Sequence, residues 1–308
     1  MRIVYMGTPD FAVGPLRALH EAGYDIAAVI TQPDRPRSRG KLQPTPVKAA
    51  AEALGLPVLT PEKVNRELEA VAACRPDLLV VVAYGQFLSE QLLALAPLGA
   101  VNIHGSLLPA YRGAAPINAA VINGEAESGV TIMYLDKGMD SGDMILQEKV
   151  PIGPDMTAGE LYGELAELGT RLLLRALPLI EAGTAPRIPQ EHAKATFAPM
   201  LKKEDELIDW TQTAKQVHDR IRGLSPFPGA YTLRQGKRLK LWASRLEPLP
   251  LAGAAPGTVV AAGKAGFWVA CADQALLLTA VQPEGKGRME AGAYVRGYQV
   301  EKGLVLGE

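Results

Sequence analysis

The run LLVVVA at residues 78–83 and the run GAVNIH at residues 99–104 decide the fold. An apolar run without alternation marks a strand covered on both faces, the middle of a parallel sheet. The second run starts apolar and turns polar at its end. A polar strand end belongs to the rim where an open α/β sheet builds its site. Working outward, the chain predicts a strand at 2–6, a Gly7-Thr8-Pro9-Asp10 turn and a helix over about 10–21. A strand at 25–31, a helix at 46–54, a short strand at 56–59 and a helix at 65–74 follow. Downstream lie a helix at 113–122, strands at 130–135 and 144–150, and a long helix at 157–181. The last has Leu161, Leu165, Leu168, Leu172 and Leu173 at helical spacing. Strand and helix alternating in this way predict a doubly wound α/β sheet.

The chain changes character near residue 183. GTAPRIPQ (183–190) is Pro-rich and LKKEDE (201–206) is a charge run. A helix at 213–222 and SPFPGA (225–230) precede short strands at 230–233, 239–245, 257–262, 267–271 and 275–281. Short strands punctuated by Gly and Pro at this spacing predict a small β-barrel of OB type. The expected organisation is a catalytic domain at 1–188, a linker at 189–206 and a C-terminal domain at 207–308. Residues 1–206 hold 19 Lys+Arg against 25 Asp+Glu, and residues 207–308 hold 13 against 8. A basic C-terminal unit points to a polyanionic partner.

The 308 residues are 48% hydrophobic and 21% charged, which excludes a mainly disordered or fibrous chain. The longest apolar run, 78–84, is far short of the roughly 20 residues a membrane-spanning helix needs. The N-terminus has no signal-peptide pattern. Cys74 and Cys271 lie far apart in apolar contexts, so buried thiols and a cytoplasmic protein are expected. There is no GxGxxG after the first strand, no GxxxxGK[ST] and no GxSxG. None of the four histidines sits in HExxH or beside a CxxC, so no metal site is expected.

The chemistry gathers at the end of the 99–104 strand. Asn102 and His104 alternate with Ile103 and so share a face. Asp140 lies in the Gly-rich turn Lys137-Gly138-Met139-Asp140-Ser141-Gly142-Asp143. An amide, an imidazole and a carboxylate together can transfer an acyl group to an external amine. The amide N–H stabilises a developing oxyanion. The imidazole relays protons near neutral pH. The carboxylate orients the imidazole or takes the proton the amine loses. No protein nucleophile is needed.

The run NIHGSLLPAYRGAAPINAAVINGE (102–125) and the later SGVTIMYLDKGMDSGDMI (128–145) resemble the formyltransferases that use 10-formyltetrahydrofolate. RIVYMGTPDFAVGPL (2–16), ITQPDRPRSRGKLQPTPVK (30–48), IDW and SPFPGA resemble the members that act on methionyl-tRNA, so the likeness spans essentially the whole chain. It implies a Rossmann-like N-terminal domain and an OB-like C-terminal one that binds tRNA. It assigns catalysis to Asn102, His104 and Asp140. Folate contact falls on Ser106, Leu107, Leu108 and Pro109, with Tyr84, Gly85, Gln86, Phe87 and Leu88 flanking the pterin ring. It implies that the basic loop, with Arg35, Arg37, Arg39, Lys41 and Lys48, enters the acceptor stem of initiator methionyl-tRNA, with Lys203 extending the path. The loop departs from the family pattern in that Lys41 runs directly into Leu42. No metal, no membrane and a monomer are expected. Two other readings share these residues. One is formyl transfer to a sugar nucleotide, or hydrolysis of the formyl donor. The other is a non-catalytic folate- or nucleotide-binding module with an RNA-binding tail.

Overall fold

The computed structural model describes residues 1–36 and 42–308. The chain divides into two compact units. The first comprises Met1–Gly113, Ser128–Val150 and Tyr162–Ala198, and the second Ala114–Glu127, Pro151–Leu161 and Pro199–Glu308.

The first unit is built on a seven-stranded sheet. Its strands are β1 (Arg2–Gly7), β2 (Asp25–Ile30), β3 (Val58–Leu59), β4 (Leu78–Val82), β5 (Ala100–His104), β6 (Glu127–Tyr134) and β7 (Met144–Pro151). They lie in the order β7-β6-β5-β4-β1-β2-β3. The pairs from β3 through β5 are parallel. All five residues of β4 are buried, as an unbroken apolar run at the centre of a doubly covered sheet requires. The chain runs outward one way from β1 through β2 to β3, and the other way from β4 to β5. The switch therefore falls between β1 and β4, the place where open α/β sheets bind ligands. There Thr8 Oγ1 donates to the Tyr84 carbonyl across the two strand ends (2.8 Å).

β6, one strand in from the β7 edge, is antiparallel to β5 and sets Thr131 opposite His104. The helix Pro46–Ala53 starts from Thr45, whose side chain accepts from the Lys48 N–H, with Pro46 in the first turn. The helix Ala158–Glu181 buries Leu165, Leu168, Leu172 and Leu173. Two expected helices are shorter than the sequence suggested. The helix expected at 113–122 begins at Pro116, because the residue before a proline is held out of helical geometry, and Ala115 lies outside it at φ −131°, ψ 47°. The helix expected at 65–74 is Leu68–Ala73, with a separate turn at Val64–Arg66. Cys271 is buried as expected, whereas Cys74 is only half-buried.

The second unit carries an antiparallel sheet: β8 (Ala230–Arg234), β9 (Lys237–Leu249), β10 (Val259–Gly263), β11 (Gly266–Ala270) and β12 (Ala275–Pro283). The order is β8-β9-β12-β11-β10, with Met289–Glu290 pairing β12. Among the described residues the two end strands, β8 and β10, do not pair, so the sheet is not a closed barrel. Register breaks along β9, at Leu241/Ala243, Ala243/Ser244 and Arg245/Leu249, interrupt its pairing with β12. The helix Ala214–Gly223 packs on the helix Pro116–Ile122 so closely that a side chain at Gly223 would meet the Ile122 backbone nitrogen at 2.8 Å. This contact draws residues 114–127 into the second unit, a grouping that a linear cut of the sequence does not reveal. The segment 189–206, expected as a linker, is shared: residues up to Ala198 belong to the first unit.

The core of this unit includes Trp210, whose indole N–H donates to Thr232 Oγ1 (3.0 Å); Thr232 is fully buried. Thr232→Val keeps the volume and leaves the indole N–H without a partner. It should destabilise the protein by about 1–3 kcal/mol in urea unfolding. An unchanged midpoint would mean that the indole finds another acceptor.

Candidate active site

β5 ends the way its sequence suggests. Asn102 is half-buried and His104 is 5% exposed. Among the described residues no hydrogen bond engages the Asn102 side chain, so its amide is available to a ligand. His104 Nε2 lies 2.9 Å from the Tyr111 carbonyl oxygen. A carbonyl only accepts, so this contact places the proton on Nε2. Nδ1 then faces Asp140 Oδ2 at 3.6 Å. Oδ2 also accepts the Gly113 N–H (2.8 Å). Asp140 sits in the left-handed region at φ +48°, which Asp tolerates better than most residues. Gly113 has φ +114°, and a side chain there would meet the Ala198 carbonyl oxygen at 2.8 Å, so only glycine fits. The three residues expected from the sequence are thus on one rim, with His104 and Asp140 in contact.

The segment after β5 is pinned from beneath. Thr131, fully buried, donates to the Ser106 carbonyl (2.7 Å) and accepts from the Leu108 N–H (3.2 Å) and Gln147 Nε2 (2.9 Å). Gln147 also donates to the Leu108 carbonyl (3.0 Å). Ser106 Oγ donates to the Ala110 carbonyl (2.6 Å). Ser106 and Leu108 are buried, while Leu107 and Pro109 are half-buried. The Ser106 hydroxyl is thereby committed to its own loop.

The segment after β4 divides by residue. Tyr84 and Leu88 turn into the core, and Tyr84 is 2% exposed with its hydroxyl unpartnered. Burial pushes that phenol up to about 12. Gly85 and Phe87 are exposed, and Phe87 is 65% so, an unusual exposure for a large aromatic. Gln86 is held by the Val64 N–H, which donates to its Oε1 (2.9 Å). A ligand over the β1/β4 switch point would therefore meet Gly85, Phe87 and main chain, not the Tyr84 or Leu88 side chains.

The basic residues also divide. Arg35 is exposed. Lys48 Nζ is paired with Asp34 Oδ2 at 2.5 Å, and that bond raises the lysine pKa. Arg37, Arg39 and Lys41 lie outside the described residues. Lys203 is exposed in the turn Lys203–Glu206, among Glu204, Asp205 and Glu206. Sequence reasoning missed Thr131, Gln147, Arg112 and Gln190, which build the rim without facing it. Arg112 lay inside the quoted 102–125 run. Gln190 had no local signal.

The comparisons agree with this architecture. The formyl transferase family matches residues 1–177, and its C-terminal domain matches residues 200–299. A methionyl-tRNA formyltransferase of Moorella thermoacetica is 54% identical over 310 residues, covering 100% of this chain and 99% of that protein. One from Bacillus subtilis is 47% identical, covering 99% and 98%. Among solved structures, an N-formyltransferase from Helicobacter canadensis, in complex with folinic acid and dTDP-3-aminofucose, superposes with a TM-score of 0.68 at 19% identity. That match covers 90% of this chain and 98% of that one. HypX from Aquifex aeolicus superposes at 0.67 and 19% identity over 98% of this chain, which spans only 48% of HypX. The chain is an α/β protein with its polar rim at the carboxyl ends of a parallel sheet. It belongs to the formyl transferase family.

Thr131→Val should release the Ser106–Leu108 segment at the cost of about 1–3 kcal/mol, from one lost acceptor shared by two donors. Urea unfolding measures it. A variant as stable as the parent would show that the segment is held by packing alone.

Proposed function

We propose that this protein transfers the formyl group of 10-formyltetrahydrofolate to the α-amino group of methionine esterified to initiator tRNA. The observation that carries the reading is full-length identity of 54% to a methionyl-tRNA formyltransferase, with Asn102, His104 and Asp140 on one rim. The folate supplies an activated formyl group whose leaving nitrogen needs a proton. The free Asn102 amide and the open main chain at Gly85 fit a polar, planar ligand at the switch point. The Asn102 N–H holds the formyl oxygen as negative charge builds there. His104 Nδ1 takes the proton the amine loses and returns it toward the leaving nitrogen. Asp140 holds the imidazole when it is charged. Ser106, Leu107, Leu108 and Pro109 supply a fixed wall, pinned through Thr131.

tRNA affinity falls to the basic 35–48 loop and to the second unit, whose sheet reads as OB-like. One sheet face there supports a nucleic-acid partner. Tyr231 pairs across strands with Lys240, and the Arg238 guanidinium lies 4.1 Å above the Tyr231 ring. Lys240 and Arg288 approach the Trp242 ring at 5.6 and 5.5 Å. Cations with aromatic faces suit phosphates and unpaired bases. The protein works as a cytoplasmic monomer in this reading.

Asn102→Ala should lower kcat about a hundredfold or more, as loss of one oxyanion donor costs roughly 2.7–4 kcal/mol, and His104→Ala should lower it about 10²–10⁴-fold, the usual worth of a positioned proton-transfer group. Near-normal turnover in either would sink the assignment. Purified protein given 10-formyltetrahydrofolate should formylate methionyl initiator tRNA and not a 4-amino sugar nucleotide. Formylation of the sugar alone would keep the rim chemistry and reject the tRNA. Binding to the tRNA should weaken steeply as salt rises, since phosphate contacts release counterions. A salt-independent affinity would reject the basic face as its seat.

A further inference from the structure

The Pro-rich segment that follows the long helix makes hydrogen bonds to both stretches of chain that hold the Asp140 carboxylate. Ile188 and Met144 exchange backbone hydrogen bonds (2.8 and 3.0 Å). Two residues on, Gln190 is 5% exposed. Its Nε2 donates to the carbonyls of Asp140 (2.9 Å) and Gly142 (2.8 Å). Its Oε1 accepts from Arg112 Nε (3.1 Å) and Nη2 (2.7 Å). Arg112 is itself 6% exposed, and its Nη2 also lies 3.2 Å from His192 Nδ1. Farther along, the Tyr111 N–H donates to Thr196 Oγ1 (2.9 Å) and the Arg112 N–H to the Thr196 carbonyl (2.9 Å). Phe197 and Ala198 then pair in parallel with Arg112 and Gly113.

A glutamine side chain has two N–H donors and one oxygen with two lone pairs. Gln190 uses all four. The donors hold two carbonyls of one turn, and the oxygen is fixed by one buried guanidinium. No other side chain of this size does both jobs. A glutamate would set a carboxylate oxygen against two carbonyl oxygens. A methionine would fill the space and hold neither end.

What this fixes is the peptide that Asp140 contributes. Asp140 is held at φ +48°, a left-handed conformation that Asp adopts more readily than most residues but that is less favourable than the ordinary helical or extended regions. Were that backbone to relax, Oδ2 would leave both the Gly113 N–H and His104 Nδ1. We propose that Gln190, supported by Arg112, is a positioning residue for the transfer reaction and acts on it only through Asp140. The proposal rests on the reading of Asp140 as the working partner of His104. Residues 188–198 are then part of the catalytic frame.

The test is a double-substitution cycle, with kcat, both KM values and the melting temperature measured for each protein. Gln190→Met removes the hydrogen bonds at similar volume. Asp140→Asn removes the carboxylate with a residue that also tolerates the left-handed region. Gln190→Met alone should lower kcat about 10–100-fold, as loss of groups that orient a working residue does, with both KM values near those of the parent. Gln190→Glu should not restore it. In the Asp140→Asn protein, assayed at enzyme concentrations that register its residual turnover, Gln190→Met should cost almost nothing more. An equal further loss there would overturn the proposal, because Gln190 would then be acting by another route. Unchanged kcat in Gln190→Met would overturn it too. Near-normal turnover in Asp140→Asn alone would instead reject Asp140 as a working group, and the proposal with it. If Gln190→Met does not fold, Arg112→Lys keeps the charge and loses the fork to Oε1. It should lower kcat several-fold, again only while Asp140 is present, and a loss independent of Asp140 would overturn the proposal.

Discussion

The contact between His104 Nε2 and the Tyr111 carbonyl, 2.9 Å long, decides what the imidazole can do. Because the carbonyl accepts a hydrogen bond from the Nε2–H, the neutral ring presents a bare lone pair at Nδ1. That lone pair faces a carboxylate oxygen at 3.6 Å. Two acceptors facing each other gain nothing. Once a proton arrives on Nδ1, the ring can donate to the Tyr111 carbonyl and to the Asp140 carboxylate at once. In the proposed reading the arrangement is a receiver for one proton at one nitrogen. Formyl transfer to an amine releases a proton from the attacking nitrogen and needs one at the leaving nitrogen, so a single nitrogen that takes and returns it suffices.

For that contact to exist, the chain after β5 must turn back and lay Tyr111 against the ring. The local cost is visible. Tyr111 has φ +58°, and Gly113 has φ +114° against the Ala198 carbonyl. Strained backbone of this kind persists when its surroundings leave it no alternative. Thr131 supplies part of that restraint from β6, because the antiparallel register puts it opposite His104. The same loop gives the Gly113 N–H to Asp140, so tautomer and carboxylate are set by one piece of chain. The imidazole and the carboxylate are thus not independent placements.

Much of this was legible in the residues, and the exceptions share a cause. The unbroken run at 78–82 announced a central strand, and all of it is buried. Alternation in 102–104 put Asn102 and His104 on one face without any knowledge of the tertiary fold. Asp140, by contrast, reaches them through tertiary contacts, the Gly113 N–H and Gln190 among them, so residue chemistry suggested it and the resemblance supported it. Thr131 and Gln190 were illegible because each works through main-chain partners distant in sequence, and Arg112 because its partner, the Gln190 side chain, lies 78 residues away. Main-chain carbonyls leave no mark on a sequence. Gln190 was hidden further by its neighbours, since Pro and Gly around it are the usual signature of a connector. The second unit was expected as a small β-barrel of OB type, and among the described residues its two end strands do not pair. Spacing counts strands and does not say whether the first pairs with the last.

In the proposed reading the rim handles an amine and a formyl group, and nothing in it depends on what the amine is attached to. Selection of the acceptor has to lie in charge placed elsewhere, and here the described cations are unequal. Lys48 is already held by Asp34, so a phosphate would have to displace a carboxylate to reach it. Lys203 stands in a turn with three acids. Arg35 is exposed, while Arg238 and Lys240 lie over aromatic rings that do not neutralise them. In the proposed reading a polyanion gains more from Arg35 and from the Tyr231–Trp242 face than from Lys48 or Lys203, although Arg35, Lys48 and Lys203 looked equivalent as sequence. The excess of positive residues in 207–308 carries weight only because part of it is set on rings and left unpaired. That distribution favours an acceptor carrying many phosphates over one carrying two.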